Sequence, residues 1–232
     1  MTVIASLVAA YLLGAIPFSL VIGQRVKGID LREHGSGNLG ATNVYRNLGK
    51  GWGGLCLLLD AAKGVAAVLL MTLVVDAIPR GEALPLHLTG DVWRILAGAA
   101  AILGHGFSPF VRFKGGKGIA TTFGVFLILE PLAVLLAFAV FVAVFLATRI
   151  VSLGSLSAAA VFPWAVLIFE LRSRSVSVTL IVFSAIIAAL VIWRHRANIR
   201  RLRAGTEQKL QGPEDDADPP DGPHPDPEDH HS

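Results

Sequence analysis

Residues 52–75 read WGGLCLLLDAAKGVAAVLLMTLVV, a run with one acid, Asp60, and one base, Lys63. A helix of about twenty apolar residues crosses a hydrocarbon core roughly 30 Å thick. This run is long enough to do so. Asp60 and Lys63 stand one helical turn apart, where the pair either neutralises itself or faces a polar cavity. Cys56, the only cysteine of the chain, lies in the same run. It reads as a small buried apolar residue, and no intrachain disulfide can form.

Working outward, the rest of the chain has the same character. Of its 232 residues 53% are apolar and 16% charged, with a mean hydropathy of +0.63. A soluble domain carries about 25% charge, so lipid is the expected solvent. Apolar segments fall at 3–23, 52–75, 92–107, 119–130, 132–148, 155–171 and 176–193. The expected fold is an all-α integral membrane protein with about seven transmembrane helices. The first segment lacks the basic n-region and small-residue cleavage site of a signal peptide, and it is read as a retained span. Glu130-Pro131 divides the fourth segment from the fifth; either these form a helical hairpin or they are one kinked helix, which leaves five spans as the alternative count.

With seven spans, the loops 24–51, 108–118 and 149–154 and the region from 194 onward share one side and hold fifteen Lys and Arg. The opposite side holds four, Arg80, Arg94, Arg172 and Arg174. That bias places the N-terminus outside and the C-terminus in the cytoplasm. Residues 212–232 break the pattern with eight acids, six prolines and no Lys or Arg. The expected organisation is a membrane domain over 1–210 and a disordered acidic tail over 211–232. Deleting residues 212–232 is expected to leave activity intact.

Three polar clusters fall on the side rich in Lys and Arg. In GSGNLGATNVYRNLGKG (35–51), Gly35, Gly37 and Gly40 allow tight turns and close backbone approach to a ligand. A short helix over 41–48 follows, and a helix N-terminus suits an anion. Ser36, Thr42, Asn38 and Asn43 add polar groups, and Arg46 can grip a phosphate in bidentate fashion. The competing reading is a flexible loop followed by an interfacial helix. FKGGKGIATT (113–122) brackets Gly115 and Gly116 with Lys114 and Lys117. That arrangement fits an anion, or membrane anchoring by the lysines alone. His105 and Pro109 are read as shaping this loop. In RHRANIRRLRAGTE (194–207), His195 and Asn198 share a helical face, while Arg194, Arg196, Arg200, Arg201 and Arg203 suit lipid headgroups. Ser152, Ser155 and Ser157 fit close helix packing or a polar face.

Several chemistries are excluded by spacing. A nucleotide P-loop needs Gly five residues before its Gly-Lys pair and Ser or Thr after it. Val44 and Gly51 occupy those places around Gly49-Lys50, and Val111 and Gly118 do so around Gly116-Lys117. H-E-x-x-H, C-x-x-C and G-x-S-x-G are all missing. The pair His224 and Asp229 has a spacing known from one acyltransferase class, but it lies in the His- and Asp-rich tail and is read as chance. Nothing calls for a metal, a cofactor or a nucleic-acid partner.

GSGNLGATNVYR, FKGGKGIATT and RHRANIRRLRAGTE together resemble, in order, the three motif blocks of the bacterial acyl-phosphate:glycerol-3-phosphate acyltransferases, the PlsY family, over about residues 5–210. The acidic tail lies outside that pattern. The resemblance implies a multi-pass enzyme of the cytoplasmic (inner) membrane with its active site facing the cytoplasm. It implies acyl transfer from acyl phosphate to the 1-hydroxyl of glycerol 3-phosphate, giving lysophosphatidic acid and phosphate as the first acylation of phospholipid synthesis. On this reading Ser36, Arg46 and the amides of Gly35–Asn38 hold the acyl phosphate. Lys114, with Lys117, stabilises the departing phosphate, and His195 and Asn198 orient glycerol 3-phosphate. Gly37→Ala should impair acyl-phosphate use more than membrane insertion. Two rivals differ in class: a transporter of a phosphorylated solute, whose site belongs near the bilayer midplane, and a non-enzymatic anchor for a lipid-synthesis complex.

Overall fold

The structure, a computed structural model, describes residues 2–79, 84–173 and 175–210; the acidic tail lies outside the described residues. The described chain is helical, with no strand among these residues. In order the helices are α1 (Thr2–Ala15), α2 (Phe18–Lys27), α3 (Ala41–Leu48), α4 (Lys50–Asp76), α5 (Gly90–Gly106), α6 (Ile119–Leu129), α7 (Pro131–Thr148), α8 (Val151–Arg172), α9 (Val178–Arg194) and α10 (Arg196–Arg203).

Each apolar segment of the sequence is helical, the first broken into α1 and α2, but they differ in reach. Thr2–Lys27, Lys50–Asp76, Gly90–Val111, Pro131–Thr148 and Val151–Arg172 are long and apolar enough to cross a membrane, and α9 joins them if counted with α10, from which it bends by 58°. Helix α6 has 11 residues, so at 1.5 Å per residue it extends only about 16 Å. At Glu130 the backbone leaves the helical region (φ −152, ψ 73), and Pro131 restarts it as the first residue of α7. Pro suits that position because its missing N–H has no helical partner there. The 119–148 stretch is therefore two helices.

Helix pairs meet through small residues, as packing in lipid requires. A Cβ at Gly104 would lie 2.2 Å from the Tyr11 carbonyl oxygen, and one at Gly124 would lie 2.0 Å from that of Ala61. Those contacts bring α5 onto α1 and α6 onto α4. Farther along, Phe126 packs edge-on against Phe162 (centroids 4.6 Å) and stacks on Phe183 (5.3 Å), joining α6, α8 and α9. Leu58, Leu73, Trp164 and Ile186 point outward, as lipid-facing side chains do.

The break between α1 and α2 shows how a membrane chain satisfies its backbone. Pro17 interrupts the helix, and buried side chains take up carbonyls near the break. Lys63 Nζ donates to the Ile16 carbonyl (3.0 Å) and Ser108 Oγ to that of Ala15 (2.6 Å). Lys63 also pairs with Asp60 at 2.7 Å, both side chains being almost fully buried. The intramembrane pair thus neutralises itself and closes the kink. Cys56 is buried one turn before Asp60.

Candidate active site

The three polar clusters meet. A cavity of about 530 Å³ opens where the loops before α3, α6 and α8 and the hinge between α9 and α10 come together. Ser36, Gly37, Asn38, Gly40, Thr42 and Arg46 form one wall. Lys114, Gly115 and Lys117 form a second, and His195 and Asn198 a third. Asp60 and His105 also line it, and Leu57, Ile119, Phe141 and Val151 supply an apolar side. Gly35, Asn43 and Gly116, expected to touch substrate, lie outside the lining.

Their positions explain why. Asn43 is buried, and its Oδ1 accepts the Ser36 N–H (3.0 Å) while its Nδ2 donates to the carbonyls of Leu31 (2.9 Å) and His34 (3.1 Å). It folds the loop back onto the start of α3. Gly35 has φ +59, and a Cβ there would sit 2.4 Å from Asn43 Oδ1. These two residues shape the loop. For two of the four amides of Gly35–Asn38 expected to hold a ligand, the N–H is already taken. The Ser36 N–H is held by Asn43, and that of Gly37 by the His34 carbonyl (3.1 Å).

Backbone donors come instead from helix ends. Helices α3 and α6 begin at Gly40 and Gly118 with no side-chain cap. Gly40 and Ala41, and Gly118, Ile119 and Ala120, line the cavity. Each start therefore presents unsatisfied N–H groups and the positive end of a dipole. The α3 end was legible in the sequence. The α6 end was not, because only the fold turns it toward the same space.

Side-chain charge adds to this. The lining includes the cations Arg46, Lys114, Lys117, Arg194, Arg196, Arg200 and Arg201, against the acids Asp60 and Glu207. Both acids are already paired, Asp60 with Lys63 (2.7 Å) and Glu207 with Arg201 (2.6 Å). The excess positive charge favours anions.

Glu207, which sequence reading passed over, is a hub. One carboxylate oxygen accepts from Ser152 Oγ and Asn198 Nδ2, both at 2.6 Å, and the other from Arg201 Nε. Burial alone would raise its pKa, but those three hydrogen bonds and the Arg201 charge hold it below the usual range. Lys117 Nζ in turn donates to Asn198 Oδ1 (2.6 Å). Burial, reinforced by Arg201, Arg46 and Arg194 against the pull of Glu207, lowers the Lys117 pKa to about 8. Arg46 reaches the Gln208 carbonyl at 3.2 Å. The segment after α10 therefore closes one side of the cavity. No local spacing marks Glu207, since its partners lie on α8 and α10.

His195 sits in the α9–α10 hinge and is almost fully buried. Its Nδ1 lies 2.8 Å from the Val191 carbonyl, so Nδ1 carries the proton. In the neutral ring this leaves Nε2 as an acceptor. The whole arrangement suits anionic groups beside an apolar wall, which is the form of an amphiphile with a phosphate head.

Comparison with known proteins agrees with that chemistry. The profile of the glycerol-3-phosphate acyltransferase family matches residues 4–205. A glycerol-3-phosphate acyltransferase of Geotalea daltonii is 47% identical over 204 residues, covering 88% of this chain and 95% of that one. Glycerol-3-phosphate acyltransferase 1 of Deinococcus radiodurans is 42% identical, covering 90% and 96%. Among solved structures, PlsY, described as an integral membrane glycerol 3-phosphate acyltransferase, superposes in its glycerol 3-phosphate form with a TM-score of 0.75 at 37% identity, covering 91% of this chain and 96% of that one. Its lysophosphatidic acid form gives 0.73 at 36% identity, with 90% and 95% covered.

Proposed function

The chain belongs to the glycerol-3-phosphate acyltransferase family, and from that premise we propose that its acyl donor is acyl phosphate and its product lysophosphatidic acid. The observation that carries this reading is the cavity itself: two uncapped helix starts and an excess of cations beside an apolar wall. Both substrates bear phosphate and one bears a fatty chain. The site matches that pairing.

The acyl chain lies along the side of Leu57, Ile119, Phe141 and Val151, with its phosphate toward Ser36, Arg46 and the start of α3. Glycerol 3-phosphate is held by His195 and Asn198, with its phosphate near Lys117. The 1-hydroxyl oxygen attacks the acyl carbon, and the carbon–oxygen bond to phosphate breaks. Phosphate leaves with the electron pair, and the hydroxyl proton passes to a phosphate oxygen. Lys114 and Lys117 neutralise the departing charge. Acyl phosphate is already activated, so positioning and electrostatic stabilisation supply the catalysis. His195 orients substrate, and His195→Ala is expected to raise KM for glycerol 3-phosphate with kcat largely retained; a collapse of kcat alone would make it the base.

The bias of Lys and Arg supports a cavity facing the cytoplasm, and the family resemblance implies the inner membrane, where soluble glycerol 3-phosphate would meet a lipid-borne donor. A midplane transporter site is disfavoured by polar lining residues drawn mainly from loops and helix ends. Purified protein in detergent, given acyl phosphate and labelled glycerol 3-phosphate, should form lysophosphatidic acid without nucleotide or thioester. Turnover with acyl-CoA and none with acyl phosphate would overturn the donor assignment.

A further inference from the structure

The turn that carries Lys114 and Lys117 is gripped from two sides. Arg194, the last residue of α9, donates through Nη2 to the carbonyls of both Gly115 and Gly116, each at 2.7 Å. Its guanidinium carbon lies 5.2 Å from the centre of the Phe107 ring. Two successive carbonyls that converge on one point repel each other unless a cationic donor stands between them. A planar guanidinium with several N–H groups meets that need, and an ammonium on a flexible stem does so poorly.

The opposite side of the turn rests on α5. The Gly116 N–H donates to the His105 carbonyl (3.2 Å), and the His105 ring fills the space beside Gly116, where a Cβ would come within 2.2 Å of Nε2. His105 Nδ1 is 3.6 Å from Asp60 Oδ1, and Asp60 is tied to Lys63. The turn is thus clamped between an arginine of α9 and a buried ion cluster of α4 and α5.

We propose that Arg194 is a positioning residue, which sets, with the Asp60–His105 pair beneath, where Lys114 and Lys117 meet a substrate phosphate. It acts through the Gly115–Gly116 turn and does not itself bind the phosphate. The inference rests on the reading of the cavity as a phosphate-binding acyltransferase site, and it replaces the lipid-headgroup role that sequence alone suggested for Arg194.

Arg194→Lys separates this role from direct phosphate binding, because lysine keeps the charge and loses the fork. The full-length protein in detergent would be compared with Arg194→Lys, Arg194→Gln and the exposed Arg25→Gln. Calorimetry would report glycerol 3-phosphate affinity, steady-state assays kcat and KM, and hydrogen exchange the mobility of residues 112–118. Both Arg194 variants should weaken affinity and raise KM about 10-fold, lower kcat roughly 3- to 10-fold as Lys114 and Lys117 lose their place beside the departing phosphate, and speed exchange in 112–118. Arg25→Gln should match the unmodified chain. Wild-type affinity in Arg194→Lys would overturn the proposal, as would unchanged exchange, or faster exchange without loss of affinity. Should the Arg194 variants not fold, His105→Asn tests the lower half of the clamp, and normal KM and exchange there would overturn the part assigned to the Asp60–His105 pair. If the unmodified protein binds glycerol 3-phosphate and acyl phosphate yields no product, the functional reading fails while the clamp remains measurable by binding and exchange.

Discussion

The two ends of the helix bundle both carry arginine networks, and they differ in what the charge is left to do. At the end away from the cavity, Arg94 donates to Asp76 (2.6 Å), Asp91 (2.7 Å) and Thr72 Oγ1 (3.2 Å), and both carboxylates are largely exposed. That guanidinium is neutralised in place. At the cavity end the two acids of the lining are spoken for, and Arg46 and Lys114 meet no carboxylate within ion-pair distance among the described residues. Arg194 meets carbonyls, and Arg46 meets the one of Gln208. Uncompensated cations in a half-buried cavity are costly unless a ligand supplies the countercharge. The comparison therefore separates a structural network from a functional one by charge balance, though both are rich in arginine.

The sharpest attempt to break the distinction is Arg46→Ala. It removes the guanidinium proposed to grip the donor's phosphate, and kcat/KM with acyl phosphate is expected to fall on the order of 100- to 1000-fold. A loss under threefold would mean that Arg46 serves only to hold Gln208. Next in size is Glu207→Gln, which keeps shape and removes the charge that Ser152, Asn198 and Arg201 surround. We expect kcat/KM to drop roughly 10- to 100-fold with a lower Tm, since a hydrogen-bonded charged hub is lost. Unchanged Tm and activity would show that the segment after α10 is no part of the site.

A smaller effect follows from pH. The Lys117 pKa is depressed to about 8, so the free enzyme carries this charge below that pH and loses it as pH rises through it. Measured kcat/KM for glycerol 3-phosphate should decline above about pH 8, with kcat less affected because bound phosphate restores the proton. Lys117→Arg, which stays charged, should flatten that limb; a limb identical in the variant would assign it to another group. The smallest effect belongs to the far end. Arg94→Gln breaks exposed pairs of the kind that contribute about 0–1 kcal/mol. Activity should stay within about twofold, and a loss comparable to that of Arg46→Ala would erase the contrast between the two ends.

How much of this was legible varied with the range of the interaction. Residues 52–75 declare a span because burial in lipid depends on the chain's own apolar length, and the break at Glu130-Pro131 follows from local backbone preference. The motifs holding Arg46, Lys114, Lys117, His195 and Asn198 are local too, and all five residues stand at the cavity. Asn43 and Gly35 were misread as ligand contacts because an asparagine that bonds a loop and one that bonds a ligand look alike in sequence. Glu207 and Arg194 were missed for the complementary reason: their side chains bond partners 6 to 79 positions away.

By itself the sequence determined the solvent, the helical class, the chemistry of an anion-binding face and the order of its motifs, because these depend on composition and on neighbours along the chain. The tertiary structure alone decided which backbone N–H groups remain free, which arginine faces carbonyls, and that a second helix start joins the first at one cavity. Those facts depend on where each polar group finds its partner after packing. A hydrogen bond is satisfied by whatever atom lies about 3 Å away, whatever its distance in sequence.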